Sequence, residues 1–317
     1  MAPSPRLRFF SEILGLTFDQ RCWNQINLAV RGDQYIPKSR GGLSSLELLS
    51  PRLAFPLWRG KPFLPRKVIL TNLFNHTQTP IKSGWSVHKT QVHDFRGARL
   101  TYDSHNGTDL AIPVGTQVVS AAKGRVVWMC DELNRGGKKI GIDHGHGLMT
   151  TYAHLARSLV SVGQYVAQGE SIAWSGYSGL DAVISFPFGI PHVHMNVWCN
   201  GLPVDPFAVN GEVPLWNHAL PVPENKEYSF RDSEYSEEQV RAGTDACLDS
   251  VVRSSIEGKE NLWEKAAELL FQQNYYPTRF SEHISPYKDT FERNQRLRLP
   301  FRKEDFDGVV FRDEVSL

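Results

Sequence analysis

The sequence predicts a mainly β domain in the middle of the chain, between a loop-rich N-terminal region and a mostly α-helical C-terminal region. Residues 91–210 are dense in short β-like runs separated by turn residues, a pattern typical of a small antiparallel sheet or sandwich. Residues 1–90 are rich in Pro, Gly, Arg and Trp and contain one clear strand-like run, Lys67–Phe74. Residues 211–317 instead carry apolar side chains at helical spacing.

Length and composition describe an ordinary globular protein. The 317 residues are 41% hydrophobic and 22% charged, which excludes a disordered or collagen-like chain. No apolar run reaches the roughly 18 residues of a membrane-spanning helix. Lys and Arg total 35 against 34 acidic residues, a balance that argues against a dedicated nucleic-acid binder. The four cysteines form no CxxC pair, so we expect neither a cysteine zinc site nor a disulfide scaffold.

Charge is distributed unevenly along the chain. The net charge is +9 over residues 1–90, −1 over 91–210 and −7 over 211–317. The basic and acidic segments could contact each other, or the basic segment could attract an anionic polymer. Two unrelated solvated surfaces would give the same count.

Several local patterns place the expected strands. Lys139–Leu155 has the pattern of a hairpin turning at His144–Gly147, where we interpret His144 and His146 as solvated. Strands are also predicted on either side of Lys123-Gly124, at Ser171–Trp174 and at His192–Trp198.

Two helices are predicted in the C-terminal region. Ser236 with Gln239 three positions later is typical of a capped helix start, and Val240, Cys247 and Val251 would then share one face. A second helix is predicted from about Glu260 to Asn274, ending before Pro277.

Three polar motifs in the middle region could carry chemistry. His105-Asn-Gly-Thr-Asp109 is predicted in a loop that enters a strand, because Gly107 disfavours a helix there. His192 and His194 would point to the same face of a strand, since side chains alternate with period two. The third motif is His154, in a strand-like run between the other two motifs. Each motif alone also fits a structural or solvent-facing histidine.

Together the three motifs predict a catalytic zinc site. Two histidines and one aspartate would provide three ligands and leave a fourth position open to water. Zinc can lower the pKa of a bound water from about 15.7 to roughly 7. The two histidines left over could accept a proton or stabilise an oxyanion.

With these motifs in order, residues 95–207 resemble the lysostaphin-type (LytM-like) zinc endopeptidases of metallopeptidase family 23, which cut peptide bonds in bacterial peptidoglycan. The resemblance is carried by His105-x-Gly-x-Asp109, by Ile142-Asp-His-Gly-x-Gly with Thr-x-Tyr-Ala-His154-Leu, by the spaced Val, Gly and Ile positions of 160–172, and by Pro191-His-x-His. It implies a small antiparallel β fold with zinc in an open groove.

The resemblance also assigns roles to the five polar residues. It implies that His105, Asp109 and His194 bind Zn²⁺, and that His154 and His192 are catalytic without being ligands. Met195-Asn196 replaces the pattern's usual Phe-like residue and acid, which we expect to alter only the groove lining. The connection Ser175–Ile190 is longer than usual, and we expect it to form one wall of the groove.

The function expected from this resemblance is hydrolysis of stem or cross-bridge peptides of peptidoglycan by a zinc-activated water. The alternative is a catalytically silent peptidoglycan-binding or regulatory module with the same fold. The substrate class implies the cell envelope, the periplasm or secretion. The stretch from Phe9 to Phe18 is broken by Ser11 and Glu12 and makes a poor signal-peptide core, which leaves cytoplasmic retention and non-classical export open.

Overall fold

One large, mostly antiparallel sheet organises the protein. The structure is a computed structural model that describes residues 5–88, 93–216 and 230–316. The strands are β1 (Ser39–Arg40), β2 (Lys67–Asn72), β3 (Trp85–Ser86), β4 (Thr108–Ala111), β5 (Gln117–Val119), β6 (Gly124–Glu132), β7 (Gly137–Asp143), β8 (Leu148–Ser158), β9 (Tyr165–Val166), β10 (Ser171–Ser175), β11 (His192–Cys199), β12 (Leu202–Pro203) and β13 (Gly308–Phe311). The helices are α1 (Gln20–Arg31), α2 (Pro51–Trp58), α3 (Leu180–Ser185), α4 (Glu237–Asp245), α5 (Ser250–Glu257) and α6 (Leu262–Tyr275).

The sheet runs in the order β13-β2-β4-β11-β8-β7-β6-β9. Strand β10 pairs with β5 and β8, β12 pairs with β11, and the short β1 and β3 pair separately. The long strand β11 lies between β4 and β8, antiparallel to both. The predicted β domain and helical C-terminal region are confirmed, and so is the hairpin of β7 and β8. The strands on either side of Lys123 exist but do not pair with each other, because β5 pairs with β10 and β6 with β7 and β9.

Strands from both flanking regions belong to this sheet. Strand β2 pairs with β4 on one side and with β13, in parallel, on the other. Next to this pairing, Asp307 accepts from Arg66 at 2.7 Å and from Lys67 at 3.1 Å. The basic and acidic regions therefore contact each other here, and neither residue 90 nor residue 210 marks a boundary of the sheet.

The two faces of the sheet bury different cores. On β11, Val193, Met195 and Val197 point to a core shared with β2, β6 and β7. Trp198 lies on the opposite face, where it packs with Trp128 and with helix α6. This alternation follows from the period of two in a strand. It places the alternate residues His192, His194 and Asn196 on the face that α6 also covers.

The C-terminal helices differ in one respect from the prediction. Ser236 caps α4 through the backbone N–H of Gln239, as expected. The helix then ends at Asp245, and Asp249 caps a separate helix α5 by accepting from two backbone N–H groups. The prediction that Val251 shares the apolar face of α4 is therefore wrong, and its side chain is 77% exposed. The second predicted helix is confirmed as α6.

The turn between β7 and β8 is also more enclosed than expected. His144 is fully buried, with Nδ1 near the Lys123 carbonyl and Nε2 near the Thr150 hydroxyl. Arg296 donates to the carbonyls of His144 and Gly145 and covers the turn. The interpretation of His144 as solvated is thus wrong, because the C-terminal region lies over it.

Two further observations complete the description of the fold. All four cysteines are free, and Cys22 and Cys247 are buried. Among the helices of the described ranges, none is both long and apolar enough to cross a bilayer.

Candidate metal centre

Three of the predicted site residues meet where β4, β11 and the turn before β4 come together. His194 lies directly opposite Asp109 in the pairing of β11 with β4. Nδ1 of His194 is 2.7 Å from Oδ1 of Asp109, and Nε2 of His105 is 3.0 Å from the same oxygen. The two imidazole nitrogens are 3.2 Å apart. The sheet register thus brings together residues that are distant in sequence.

Gly107 makes this close approach possible. A Cβ at this position would lie 2.7 Å from Nε2 of His194 and 2.7 Å from the Met195 carbonyl oxygen. The Met195 carbonyl belongs to a paired strand and cannot shift without breaking the ladder, and the His194 ring could make room only by leaving its position beside Asp109. The glycine between His105 and Asp109 is therefore a packing requirement of the site.

The proton positions on His105 are set by the backbone. Its Nδ1 lies 2.8 Å from the carbonyl oxygen of Leu73, which can only accept, so Nδ1 carries the proton. In the neutral ring Nε2 then presents a lone pair to Asp109 and His194. Metal-binding histidines in proteins typically donate their second N–H in this manner.

Asn72 orients the carboxylate from the other side. The side-chain amide of Asn72 donates to Oδ2 of Asp109 at 2.8 Å, which leaves Oδ1 facing the two histidines. Asn72 is the last residue of β2 and Leu73 follows it, in the N-terminal region for which the sequence predicts one strand and no site residue. They are site residues that motif spacing could not find, because their only signal is the strand-like run that contains them.

The three donor atoms lie close enough together to hold one metal ion. One nitrogen from each histidine and one oxygen of Asp109 all lie within 4.8 Å of one another. Burial by itself would raise the pKa of the Asp109 carboxyl, but the combined attraction to charged His105 and His192 holds it well below its usual range. Burial lowers the pKa of His194. Once the imidazoles are neutral, the ionised, buried carboxylate and the two ring nitrogens form a set of donors that a divalent cation would satisfy.

The other two histidines lie beside these three residues. The rings of His154 and His192 are 4.6 Å apart between centroids. Nδ1 of His154 is 2.7 Å from the Ser178 carbonyl oxygen, and Nδ1 of His192 is 2.7 Å from the Ile190 carbonyl oxygen. Both rings therefore carry the proton on Nδ1 and present Nε2 to the site. The structure brings all five predicted residues together.

His154 is held in an unusual backbone conformation. Its φ is +60°, a left-handed value that non-glycine residues seldom adopt. Hydrogen bonds from its own N–H to Gly136 and from Gly176 to its carbonyl fix the backbone in this position. Burial lowers the pKa of His154 to about 4, so the ring is neutral at pH 7. Oδ2 of Asp181 is 3.7 Å from its Nε2.

The connection from β10 to β11 covers this part of the site. The Tyr177 ring lies 5.3 Å from the His154 ring and 4.9 Å from the His192 ring, and helix α3 follows it. Residues near the start of the chain hold this connection, since the Ile13 and Leu14 carbonyls accept from the N–H groups of Tyr177 and Gly179. Tyr177 and Asp181 contact the site histidines, but no motif in the sequence marks either residue.

The five side chains are largely enclosed. The most exposed of them is His194, at 14%, followed by His192 at 11%. The site therefore meets solvent mainly along β11.

Three other histidines, His76, His93 and His146, lie outside this site. His76 bonds Asp205 at 2.8 Å, and His93 is exposed. The His146 ring packs against Phe291. His146 is half-buried and its Nδ1 is enclosed, so the interpretation of this residue as solvated is not confirmed.

Comparisons with known proteins agree on the middle of the chain. The profile of Peptidase family M23 matches residues 103–206. An uncharacterised metalloprotease of Haemophilus influenzae is 32% identical over 127 residues, which cover 40% of this chain and 25% of that protein. Peptidoglycan DD-endopeptidase ShyA of Vibrio cholerae is 37% identical over 111 residues, covering 35% of this chain and 24% of that protein.

Among solved structures, the catalytic domain of lysostaphin from Staphylococcus simulans is 30% identical, with a TM-score of 0.28. The match covers 32% of this chain and 76% of that domain. The chain thus spans about a quarter of the length of the two curated relatives named above.

Proposed function

Residues 103–206 form an M23 peptidase domain of the LytM-like type, and from this premise we propose that the protein is a zinc endopeptidase of peptidoglycan peptides. The observation that carries the proposal is the convergence of all five polar residues of the predicted site. A module that had lost catalysis would be expected to lack one or more of them. The names of the relatives support the substrate class.

We propose that His105, Asp109 and His194 hold the metal. Zinc bound there would supply a Lewis acid, which can make a water molecule nucleophilic at neutral pH and polarise a carbonyl. Asn72 and the Leu73 carbonyl keep the carboxylate and the His105 ring oriented toward it. These partners reduce the reorganisation that metal binding requires.

His154 is the better placed of the other two histidines to accept a proton. Burial lowers the pKa of His154 to about 4, which keeps the ring neutral at pH 7 but also disfavours its protonation. The Nδ1 proton is fixed on the Ser178 carbonyl, which leaves Nε2 unprotonated. The free Nε2 can therefore take a proton, and Asp181 at 3.7 Å would stabilise the resulting cation. His192, with the same tautomer, would hydrogen bond reacting groups on the other side of the site.

The location of the protein follows from this substrate. Relatives named as peptidoglycan endopeptidases act on cell-wall material, so we propose that this protein works in the cell envelope or outside the cell.

The decisive experiment is digestion of purified peptidoglycan, with mass analysis of the released fragments. The parent protein should retain about one zinc per chain and release peptide fragments. His105→Ala and Asp109→Ala should lose the metal and the activity. His154→Ala and His192→Ala should keep zinc and lose roughly 10²–10³-fold in rate.

Each contrary result has a separate meaning. A parent protein with stoichiometric zinc that binds peptidoglycan without cutting it would support the silent binding module. A His154→Ala or His192→Ala protein that lost zinc would require the ligand and proton-transfer roles to be exchanged.

A further inference from the structure

Asn196 occupies a buried position next to the metal centre on the same face of β11 as His194. Its side chain is 1% exposed. The LytM-like pattern usually has an acid at this position. From the sequence alone, the change to Asn is expected to affect only the groove lining. The structure shows a more specific set of contacts.

The amide end of Asn196 holds the turn that carries His105. Its Nδ2 donates to the backbone carbonyl of Asn106 at 2.9 Å and to the Asn106 side-chain oxygen at 2.7 Å. Asn106 lies between His105 and Gly107, so these bonds fix the turn next to a candidate ligand. Both atoms facing Asn196 are acceptors. A carboxylate at position 196 could not donate to them, which explains why an amide suits this site.

The oxygen end of Asn196 reaches the C-terminal region. Its Oδ1 accepts from the Thr151 hydroxyl at 2.8 Å and from the Tyr275 hydroxyl at 3.0 Å. Tyr275 is the last residue of α6, outside the residues matched by the family profile. Asn196 therefore connects α6 to the turn that holds His105.

Tyr275 is itself held in a fixed orientation. Its ring contacts those of Trp128, Trp198 and Phe271, with centroids 5.0–6.2 Å apart. The Lys139 ammonium lies 4.8 Å from the ring centroid. Because the ring is packed on several sides, its hydroxyl is a rigid anchor.

We propose that Tyr275 and Asn196 are positioning residues through which helix α6 sets the location of His105 for metal binding. The inference rests on the proposed zinc site. A buried amide also needs partners for stability alone. The test must therefore separate positioning from general stabilisation.

The chain provides a matched pair of tyrosines for this purpose. The neighbouring Tyr276 is 1% exposed and donates to Glu132 at 2.9 Å, away from the metal centre. Tyr275→Phe and Tyr276→Phe each remove one hydroxyl from the same helix end. Asn196→Asp is a third variant, which keeps the shape and the acceptor but removes the donor to Asn106.

Zinc affinity of the full-length chain is measured by competition with a chromophoric chelator. Direct partners of metal ligands typically change metal affinity by about 10–100-fold. Tyr275 acts through two intervening residues, so Tyr275→Phe should weaken zinc binding by about 3–10-fold. Asn196→Asp should weaken it more, and Tyr276→Phe should leave it unchanged even if the melting temperature falls.

Hydrogen exchange of the metal-free protein provides a second readout that does not depend on zinc. The amides of residues 105–109 should exchange faster in Tyr275→Phe and Asn196→Asp than in the parent protein or Tyr276→Phe. Unchanged exchange in this segment, or equal effects of the two tyrosine variants, would overturn the inference. If the parent bound no zinc, the proposed function would fail, while the exchange data would still decide whether Tyr275 orders the turn.

Discussion

At the scale of single residues, the metal centre is packed so closely that no side chain fits at Gly107. Gly107 admits the His194 ring and the Met195 carbonyl only because it has no side chain. The spacing His-x-Gly-x-Asp is therefore a requirement of packing as well as of chemistry.

Gly107→Ala should consequently weaken zinc binding. The added methyl group would push His194 away from Asp109, and we expect at least a 10-fold loss in zinc affinity, of the order seen for altered ligand orientation. Gly41→Ala is a suitable control, because a Cβ there would meet only the Ser45 hydroxyl at 4.0 Å. Equal zinc affinities for the two variants would contradict this explanation of the motif.

Asn72 offers a second test at this scale. Asn72→Ala removes the donor to Oδ2 of Asp109 and leaves the three candidate ligands in place. Zinc affinity should fall by about 10–100-fold, as measured by chelator competition. Circular dichroism should show an unchanged β content. A variant with parental affinity would show that the carboxylate is oriented without Asn72.

The residues of the site differ in how visible they are in the sequence. Strand periodicity alone places His192 and His194 on one face of a strand. The register of β11 with β4 then brings His194 directly opposite Asp109. Asn72 was missed because its partner is 37 positions away and no motif links them. Asn196 departs visibly from the LytM-like pattern, but its role depends on Tyr275, which lies in a helix 79 positions later.

At the scale of elements, the hairpin of β7 and β8 shows how a correct local prediction can give a wrong environment. Turn residues and alternation were sufficient to predict the two strands. They could not show that Arg296, about 150 positions later, covers the turn. The same limit applies to α4 and α5. The helical spacing of apolar residues continues across the break between them, and Asp249 caps the start of α5.

The buried turn predicts a pH dependence of stability. Burial lowers the pKa of His144 to about 3 in the folded protein, against roughly 6.5 in an unfolded chain. The unfolded state therefore binds the proton more readily, and stability is lost as pH falls below about 6.5. The contribution should be on the order of 3 kcal/mol by pH 4.

Denaturant unfolding of the parent and His144→Gln proteins at pH 7 and pH 4 measures this effect. The variant should be less stable at pH 7 because its packing is altered, yet it should lose less stability on acidification. Parallel pH dependences in the two proteins would show that His144 is not the titrating group.

At the scale of the whole molecule, both flanking regions contribute strands to the sheet of the matched domain. Strand β2, which carries Asn72, lies between β4 and β13. The charge difference between the two ends of the chain agrees with the pairs that Asp307 makes, although exposed pairs of this kind contribute little stability. The main link is the backbone ladder.

Deletion of residues 1–90 should therefore abolish cooperative folding. It removes β2, so β13 loses the strand with which it pairs and β4 keeps only its pairing with β11. Thermal unfolding and zinc content check this expectation. A protein lacking only residues 1–7, which keeps the turn Phe9–Ile13 and the ion pair of Glu12 with Arg157, should fold and bind zinc. A folded 91–317 fragment with stoichiometric zinc would contradict the structural role of β2.

The pairing of β2 with β13 has a consequence for the order of folding. These strands are about 240 residues apart in sequence, whereas β7 and β8 are joined by a short turn. Closing so long a loop has a high entropic cost, so contacts of this kind form late. The hairpin can form early, but the strand that orients Asp109 gains its second neighbour only when the distant ends meet. Competence to bind metal should therefore arise in the last phase of folding, after most of the secondary structure is in place.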